Sequence, residues 1–357
     1  MISISHRRIE RDMQNAIKRS IAIAAAIIAM YYPVSIQAQN EPKPGSKMTL
    51  TIDGVGFTFC YIPAGSFMMG SPESETGRGE GEKPHKVTIT KPFYMMENEV
   101  TQEQFQAVAS ASKTWISDDK FAKNSHFKGD KRPVENIEFL EHRAKTLWDR
   151  MAEVSKEKFR LPTEAEWEYA CRAGTTTPFH YGKDMDWTMA NIDGHEPYGS
   201  GVEGRLRNET MEVKQFKPNA WGLYDMHGNV SEVCVDYIAA GVDLYRDGVT
   251  DPGAIDPDVV ALTSWQTAAY VATPGAVAPV VIDPQKKAKE GMEMISHLGS
   301  QPGSMEVNSG NVIVGRMIIR GGNYSVCASE CRSAAKVLDH RKNVGADYIG
   351  FRLVLIP

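Results

Sequence analysis

The chain has 357 residues, of which 42% are hydrophobic, 9% aromatic and 24% charged, a composition able to bury one large core or two small ones. Its formal net charge is −5 at pH 7, and removal of residues 1–38, which carry five basic and two acidic side chains, would leave about −8. An acidic protein is a poor match for nucleic acid, because phosphate backbones attract basic surfaces.

The N-terminus has the pattern of a secretory signal peptide. A basic start precedes an apolar run from Ile21 to Tyr32, and the small residue Ala38 offers a cleavage position. The run is short for a bilayer span and lacks a stop-transfer flank, so a cleaved signal is favoured over a membrane anchor. We therefore expect residues 1–38 to be removed, a polar linker at 39–47, and a secreted or periplasmic protein.

From Met48 onwards the sequence predicts short strands. Apolar and aromatic residues stand among threonines, and Gly54 and Gly56 mark turns or bulges. A charged, glycine-rich loop at 71–85 then leads to a β segment at 86–100. The glutamates of that loop offer ligands for a cation, but a solvated loop is the favoured interpretation.

Two helices are predicted in the next part of the chain. Thr101 and Gln104 form a capping box that starts the first. Residues 111–131 have mixed charge and little periodicity, which indicates an irregular insertion. The second helix is predicted from apolar residues recurring at steps of four and three, namely Leu140, Ala144, Leu147, Met151 and Val154.

The segment 161–174, LPTEAEWEYACRAG, carries the strongest local signals. Thr163 and Glu166 form a second capping box, and Pro162 lies before the cap, where it breaks no helical hydrogen bond. Gly174 is suited to a left-handed residue at the end of the helix. Residues three and four apart share a face, so a core-facing side is predicted from Trp167, Ala170 and Cys171.

After Gly174 the chain is polar and loop-rich to about residue 218, followed by a region dense in turn formers at 219–232. Strands are predicted at 313–319 and at the C-terminus, where Phe351, Leu353 and Leu355 alternate. Helices are few, strands are many and short, and irregular structure is abundant. This pattern indicates an α+β fold.

Seven segments, in order, resemble the signatures of the formylglycine-generating enzyme (sulfatase-modifying factor) family. The resemblance covers residues 50–357 and implies one loop-rich domain at 48–357 with a C-type-lectin-like fold and an insertion at about 238–311. Besides LPTEAEWEYACRAG, the segments are IPAGSFMMGS at 62–71, NEVTQEQF at 98–105, RPVENI at 132–137, NAWGLYDMHGNVSE at 219–232, RGGNY at 320–324 and IGFRLV at 349–354.

The resemblance implies a copper site at Cys327 and Cys331. Characterised members of the family oxidise a sulfatase cysteine to formylglycine with molecular oxygen and copper held by two cysteines, and thiolates suit copper(I) because both are soft. In this chain three residues separate the cysteines rather than four, and Cys327 stands one position late relative to Gly322. The family's Arg-Tyr-Arg segment is also missing. The catalytic assignment therefore departs from the family pattern.

Three interpretations of this cysteine pair remain open. The pair is a shifted copper site, since residues four apart can share a helical face. Alternatively Cys331 forms a structural disulfide with Cys171 or Cys234, while Cys327 is free or pairs with Cys60. In the third interpretation both are buried thiols. Five cysteines leave at least one without an intramolecular partner.

The resemblance also implies two structural calcium sites. Calcium binds carboxylates and the backbone carbonyls of irregular turns, both of which the DMHGNVSE turn supplies. The first site would use the side chains of Asp225 and Glu232 with the carbonyls of Gly228 and Val230. The second would use Asn191 and the carbonyl of Ile192, with a partner near Glu203 that the sequence does not place. The alternative is that Asp225 and Glu232 are ordinary turn or surface acids.

Histidines and aromatic residues give weaker signals. The nine histidines are scattered without the i, i+4 spacing of a helical metal site, so an iron site is not expected. His227 is interpreted as a hydrogen-bonding or surface residue. Ser231 and Val233 stand where the family usually has tryptophan, a loss of aromatic surface that would change a binding groove.

Two functions follow from the resemblance. The first is copper-dependent oxidation of a cysteine in a sulfatase-type Cys-x-Pro-x-Arg segment by Cys327 and Cys331. The second is a non-catalytic binding or structural module for an envelope protein or a glycan. Two reduced, facing thiols would favour the first function, whereas a disulfide would favour the second.

Overall fold

The computed structural model describes residues 41–112, 125–136, 145–238, 249–250, 316–339 and 346–357. The chain divides into two units, Met1–Pro42 and Lys43–Pro357, and every element named here lies in the second. The strands are β1 Lys47–Ile52, β2 Val55–Ile62, β3 Gly65–Met69, β4 His85–Ile89, β5 Phe93–Met96, β6 Lys158–Arg160, β7 Ser231–Ile238, β8 Val249–Thr250, β9 Arg316–Arg320, β10 Lys336–Asp339, β11 Ile349–Gly350 and β12 Val354–Ile356. The helices are α1 Gln102–Ala111, α2 Lys145–Ser155, α3 Glu164–Arg172 and a 3₁₀ turn, Ala328–Cys331.

The largest sheet of the described residues has five strands in the order β1-β2-β5-β12-β6. Its first two strands form a hairpin closed by Asp53 and Gly54, both with positive φ, as a tight two-residue turn requires. The C-terminal strand β12 pairs antiparallel with β5 and with β6. The end of the chain therefore lies in the interior of the sheet.

Two smaller sheets complete the β structure. The order β10-β9-β7-β11 places β11 parallel to β7, with Ile349 opposite Ser231. This pairing brings the C-terminal segment beside the 219–232 region. The third sheet has the order β3-β4-β8, in which β8 is the described part of the predicted insertion.

Both predicted capping boxes are confirmed. In α1 the Thr101 hydroxyl accepts a hydrogen bond from Gln104 N at 3.2 Å, and the Gln104 side chain accepts one from Thr101 N at 3.0 Å. In α3 the Thr163 hydroxyl accepts from Glu166 N at 3.1 Å. The left-handed turn at the end of α3 begins at Ala173, with φ +45°, one residue before the predicted glycine.

The core-facing side of α3 is also confirmed. Trp167, Ala170 and Cys171 are fully buried and pack in a cluster with residues of β2, β4, β5 and β9. A second cluster lies between the five-stranded sheet, α1 and α2. A third, smaller cluster contains Ile192, Ala328 and Cys331.

The remaining element predictions have mixed outcomes. The β segment at 86–100 is two strands, β4 and β5, and the helix predicted around 140–154 is described from Lys145. Residues 1–40, most of 111–131 and nearly all of the 238–311 insertion lie outside the described residues. Within the described part of the chain, no helix combines the length and apolarity needed to cross a membrane.

Candidate functional site

The two C-terminal cysteines lie on one short turn. Cys327 is the N-cap of the 3₁₀ turn, and Cys331 is its last residue. The backbone at Cys327 forms a parallel bridge with Asp193, whose N–H donates to the Val326 carbonyl at 2.9 Å. The Cys327 side chain is half-buried, with Sγ 3.1 Å from the Ser329 Oγ.

Cys331 is enclosed by its surroundings. Its side chain is fully buried, and a methyl group on Gly322 would overlap its sulfur. Gly322 also has φ +67°, a conformation that favours glycine. Burial raises the pKa of the Cys331 thiol well above its ordinary value, and the nearby Cys327 raises it further. Cys327 is the thiol of the pair that reaches solvent.

All five cysteines are among the described residues, and all five are free thiols. The disulfide interpretation is therefore not realised in the structure. Cys171 Sγ lies 3.6 Å from the Ser333 Oγ, and Cys60 Sγ donates to the Gly222 carbonyl at 3.5 Å. Burial raises the pKa of Cys60 to about 11 and that of Cys171 to about 12.

His227 connects α3 to the cysteine-bearing turn. Its Nδ1 lies 2.6 Å from the Cys331 carbonyl oxygen, which can only accept, so Nδ1 carries the proton. Nε2 is then an acceptor, and it faces the His180 N–H at 3.2 Å and Cys171 Sγ at 3.8 Å. Burial lowers the pKa of His227 well below its ordinary value. The hydrogen-bonding role predicted for this histidine is confirmed.

An ion-pair cluster anchors the 71–85 loop to the same turn. The Arg332 guanidinium donates to Glu75 at 2.6 Å, to both oxygens of Glu82, and to the carbonyls of Ser329 and Gly77. All five of its N–H groups are thereby used. Glu75 and Glu82 are buried, so the prediction that the loop glutamates are solvated is wrong for these two. No local pattern predicts these ion pairs, because the arginine stands some 250 residues later in the chain.

The 225–232 turn folds back on itself through residues with positive φ, namely Asp225 at +55°, Gly228 at +93° and Asn229 at +66°. Gly228 N donates to the Gly321 carbonyl at 2.8 Å, which joins the turn to the RGGNY segment. The Asp225 carboxylate accepts from Lys214 N at 2.7 Å. Burial, with a contribution from the charge of Glu232, raises the pKa of Asp225 to about 6.

Glu232 binds an arginine and a tryptophan. Its oxygens accept from Arg352 Nε and Nη2, each at 2.6 Å, and from Trp167 Nε1 at 2.8 Å. All three side chains are fully buried. The family segments at 161–174, 219–232 and 349–354 therefore meet at this carboxylate.

Asn191 and Asn229 fix the neighbouring loop. The Asn191 amide donates to the Glu209 carbonyl at 2.9 Å and to Asn229 Oδ1 at 3.0 Å, and these two acceptors set the orientation of the amide. Its Oδ1 is then left buried, with no hydrogen-bond partner in the described ranges. A buried amide oxygen in this state is available to a cation.

Glu99 is a buried carboxylate that the sequence did not single out. It accepts from Asn229 Nδ2 at 2.6 Å and Val230 N at 3.0 Å. Burial raises its pKa well above the ordinary value, and the nearby Asp225 and Glu232 raise it further. Glu99, Asp225 and Glu232 therefore lie close enough to affect one another, and Arg352 is the cation near all three.

Residues 56–356 match the family model described as a sulfatase-modifying factor enzyme 1-like domain. The chain belongs to the formylglycine-generating enzyme family. It is 26% identical over 248 residues to the formylglycine-generating enzyme of Streptomyces coelicolor, an alignment that covers 57% of this chain and 74% of that protein. It is 29% identical over 214 residues to the enzyme of Mus musculus, with 49% of this chain and 57% of that protein covered.

A solved structure supports the fold of this family member. The structure of PvdO from Pseudomonas aeruginosa superposes with a TM-score of 0.57 at 24% identity, covering 88% of this chain and 99% of PvdO. The predicted α+β, loop-rich single domain with a C-type-lectin-like fold is therefore confirmed.

The family implies two metals, copper and calcium, and the residues assigned to each suit it to a different degree. For copper, Cys327 and Cys331 are reduced and share one turn, as two soft ligands would require, although Cys331 is sealed by Gly322. For calcium, the orphaned oxygen of Asn191 and the buried carboxyl of Asp225 are the kind of oxygen ligands that a hard cation takes.

The residues assigned to calcium include few acidic side chains. Among the described residues, no group of three or more His, Cys, Asp or Glu side chains is arranged to hold a metal ion. The predicted calcium set contains only two carboxylates, because Ile192, Gly228 and Val230 would contribute carbonyls. Glu232 fits this set least well, since its oxygens already accept three hydrogen bonds from Arg352 and Trp167.

Proposed function

We propose that this family member oxidises a cysteine of a sulfatase-type polypeptide to formylglycine, with Cys327 and Cys331 as the copper ligands. The observation that carries the proposal is the placement of the two free thiols, which lie at the start and the end of the same turn. Copper, when bound, would supply the activation of oxygen.

The surrounding residues would hold this pair in place. The half-buried Cys327 lies where a polypeptide from solvent can approach, while the Cys331 carbonyl is held by His227 Nδ1. Arg332, the next residue, fixes the end of the turn through Glu75 and Glu82. The turn therefore has little freedom to move when a substrate binds beside Cys327.

The direct test supplies the full chain with copper(I), oxygen, a thiol reductant and a peptide containing Cys-x-Pro-x-Arg. Conversion replaces the cysteine CH₂SH by an aldehyde, with the sulfur leaving as hydrogen sulfide, and mass spectrometry detects the change. We expect aldehyde from the wild-type chain and none from Cys327→Ser or Cys331→Ser. A matched control is Cys60→Ser, which removes a buried thiol that contacts Gly222 and should leave the yield unchanged. No aldehyde from the wild-type chain would eliminate the oxidase proposal.

A second candidate function is polypeptide binding without oxidation. It is favoured by the enclosure of Cys331, whose sulfur is packed against Gly322 and has no exposed surface. The same peptide distinguishes the two candidates, because a binding module would retain a fluorescently labelled peptide and leave its cysteine unchanged. Retention by the Cys327→Ser, Cys331→Ser double variant with wild-type affinity, and no aldehyde from either protein, would support this candidate.

Calcium is proposed as the structural ion of the 225–232 turn and the Asn191 loop. The support is the partnerless Asn191 Oδ1 and the negative charge that the buried Asp225, Glu99 and Glu232 side chains carry when ionised. Bound calcium would offset that charge and stabilise the irregular backbone.

We also propose that the protein acts in an extracytoplasmic compartment. The support is the basic start, apolar run and small residue of the first 38 positions. N-terminal sequencing of the protein isolated from its native cells tests this proposal. We expect a mature terminus near residue 39, and an intact Met1 on the isolated protein would contradict it.

A further inference from the structure

Two arginine side chains pack against the ring of Trp187 in the loop region that follows α3. The Arg205 and Arg207 guanidinium carbons lie 5.9 Å and 5.2 Å from the centre of the Trp187 ring. Arg207 also lies 5.7 Å from the centre of the Phe216 ring. Both distances to Trp187 are within the range of a cation–π contact. Two like charges are therefore held beside one ring.

Within the described part of the chain, no acidic side chain neutralises the charge of this pair. Arg207 donates to two backbone carbonyls, that of Trp187 at 2.8 Å and that of Ala190 at 3.4 Å. Burial lowers the pKa of Arg207, and the neighbouring positive charge of Arg205 lowers it further. Across the described ranges, neither arginine has an acidic partner within ion-pair distance. Two neighbouring guanidinium groups without a counter-ion repel each other, and a bound anion would relieve that repulsion.

The backbone around the tryptophan holds the pair in position. Gly204 N donates to the Gly194 carbonyl at 2.7 Å, and a side chain on Gly204 would overlap the Trp187 ring. The indole Nε1 is buried and has no acceptor among the described residues. An N–H in this state is a further unsatisfied donor beside the two guanidinium groups.

We propose that Arg205, Arg207 and Trp187 form a binding site for an oxyanion, either a carboxylate or a sulfate group. The guanidinium fork matches both groups in a bidentate geometry, and Arg205 is exposed, so an anion from solvent can reach it. The site lies close to the cysteine-bearing turn. Gly194 packs against the backbone of Arg205, and the adjacent residue, Asp193, forms a β-bridge with Cys327. This proposal is independent of copper and of the oxidase chemistry.

The test follows the Trp187 indole N–H by nuclear magnetic resonance in the ¹⁵N-labelled full chain. The Trp187→Phe variant assigns the resonance among the six tryptophans. Sodium glutarate and sodium sulfate are titrated separately against chloride of matched ionic strength. We expect a saturable shift with at least one of the two salts, and the arm with the tighter response identifies the preferred oxyanion.

Two double variants distinguish a specific oxyanion site from a general effect of positive charge on binding. Arg205→Gln with Arg207→Gln should weaken binding by about tenfold or more, because hydrogen bonds to charged groups are lost. Lys91→Gln with Lys158→Gln removes the same charge from two exposed positions elsewhere and should leave the affinity unchanged. Retained spectral dispersion shows that each variant is folded. A shift that does not saturate with either salt, or that persists in the arginine variant, would overturn the proposal.

Discussion

Arg332 and Glu82 form a buried bidentate ion pair across 250 residues of sequence, with Nη1 to Oε2 at 2.8 Å and Nη2 to Oε1 at 2.9 Å. Both side chains are nearly inaccessible to solvent. The guanidinium keeps the pKa of Glu82 below its ordinary value, although burial alone would raise it. The pair thus joins the 71–85 loop to the turn that carries Cys327 and Cys331.

Replacement of this arginine should be costly. Arg332→Met would leave Glu75 and Glu82 buried without a cation, and loss of one partner from a buried pair typically costs about 3–5 kcal/mol. Urea unfolding of the full chain measures the change in the free energy of unfolding. The exposed pair Arg132–Glu209 provides a control, since Glu209→Ala should cost less than about 1 kcal/mol. Equal losses in the two variants would contradict the structural role assigned to Arg332.

The accessibility of the thiols gives a second prediction. Cys327 is half-buried, whereas Cys60, Cys171, Cys234 and Cys331 are buried and have raised pKa values. A thiol reagent should therefore modify one cysteine rapidly in the native protein and all five after denaturation without reductant.

Mass spectrometry of the labelled protein locates the modified residue. Cys327→Ser should abolish the rapid phase, while Cys234→Ser should leave it intact. If denaturation without reductant exposes fewer than five reactive thiols, the disulfide interpretation returns.

The pH dependence of stability should report on Asp225. Its pKa rises from the ordinary value of 3.8 to about 6 on folding, so the native state holds the proton more tightly than the unfolded state does. This contribution is fully present below about pH 4 and is lost as the pH rises through 6. In calcium-free buffer, the stability of the wild-type chain relative to Asp225→Asn should therefore fall between pH 4 and 6. A difference that is constant or rises over that window would show that the carboxyl is not buried as described.

The sequence predicted local structure well where adjacent residues determine it. The capping boxes at Thr101 and Thr163 act over three residues, and both form as predicted. The alternation assigned to the last strand was only partly right. Arg352 and Val354 are as deeply buried as Phe351 and Leu353, because Glu232 accepts from the Arg352 guanidinium inside the core.

The site was harder to predict because its contacts join distant segments. The enclosure of Cys331 depends on Gly322, and the charge balance at Asp225 depends on Glu99, far away in the chain. No periodicity or spacing encodes such pairings. The partnerless oxygen of Asn191 likewise follows from its amide donating to Glu209 and Asn229, an arrangement that only the three-dimensional structure shows.

Calcium should stabilise the folded protein if the Asn191 loop and the 225–232 turn hold it. Addition of calcium to the chelator-treated chain should raise the thermal midpoint in a concentration-dependent manner, since a ligand that binds only the native state stabilises it by mass action. Asn191→Ala removes the orphaned oxygen and should reduce that rise. Asn208→Ala, at an exposed position in the same region, should not. A midpoint independent of calcium would remove the structural role proposed for the ion.

The cap of α3 provides a test of how much one local interaction contributes. Thr163→Ala removes the hydroxyl that accepts from Glu166 N, and cap replacements of this kind cost about 0.5–2 kcal/mol. Thr163→Ser keeps the oxygen and should cost clearly less. The Arg160–Glu166 ion pair remains in both variants, so the comparison isolates the cap hydrogen bond. Urea unfolding measures both changes, and an equal loss for serine and alanine would assign the effect to the buried methyl group of Thr163 instead.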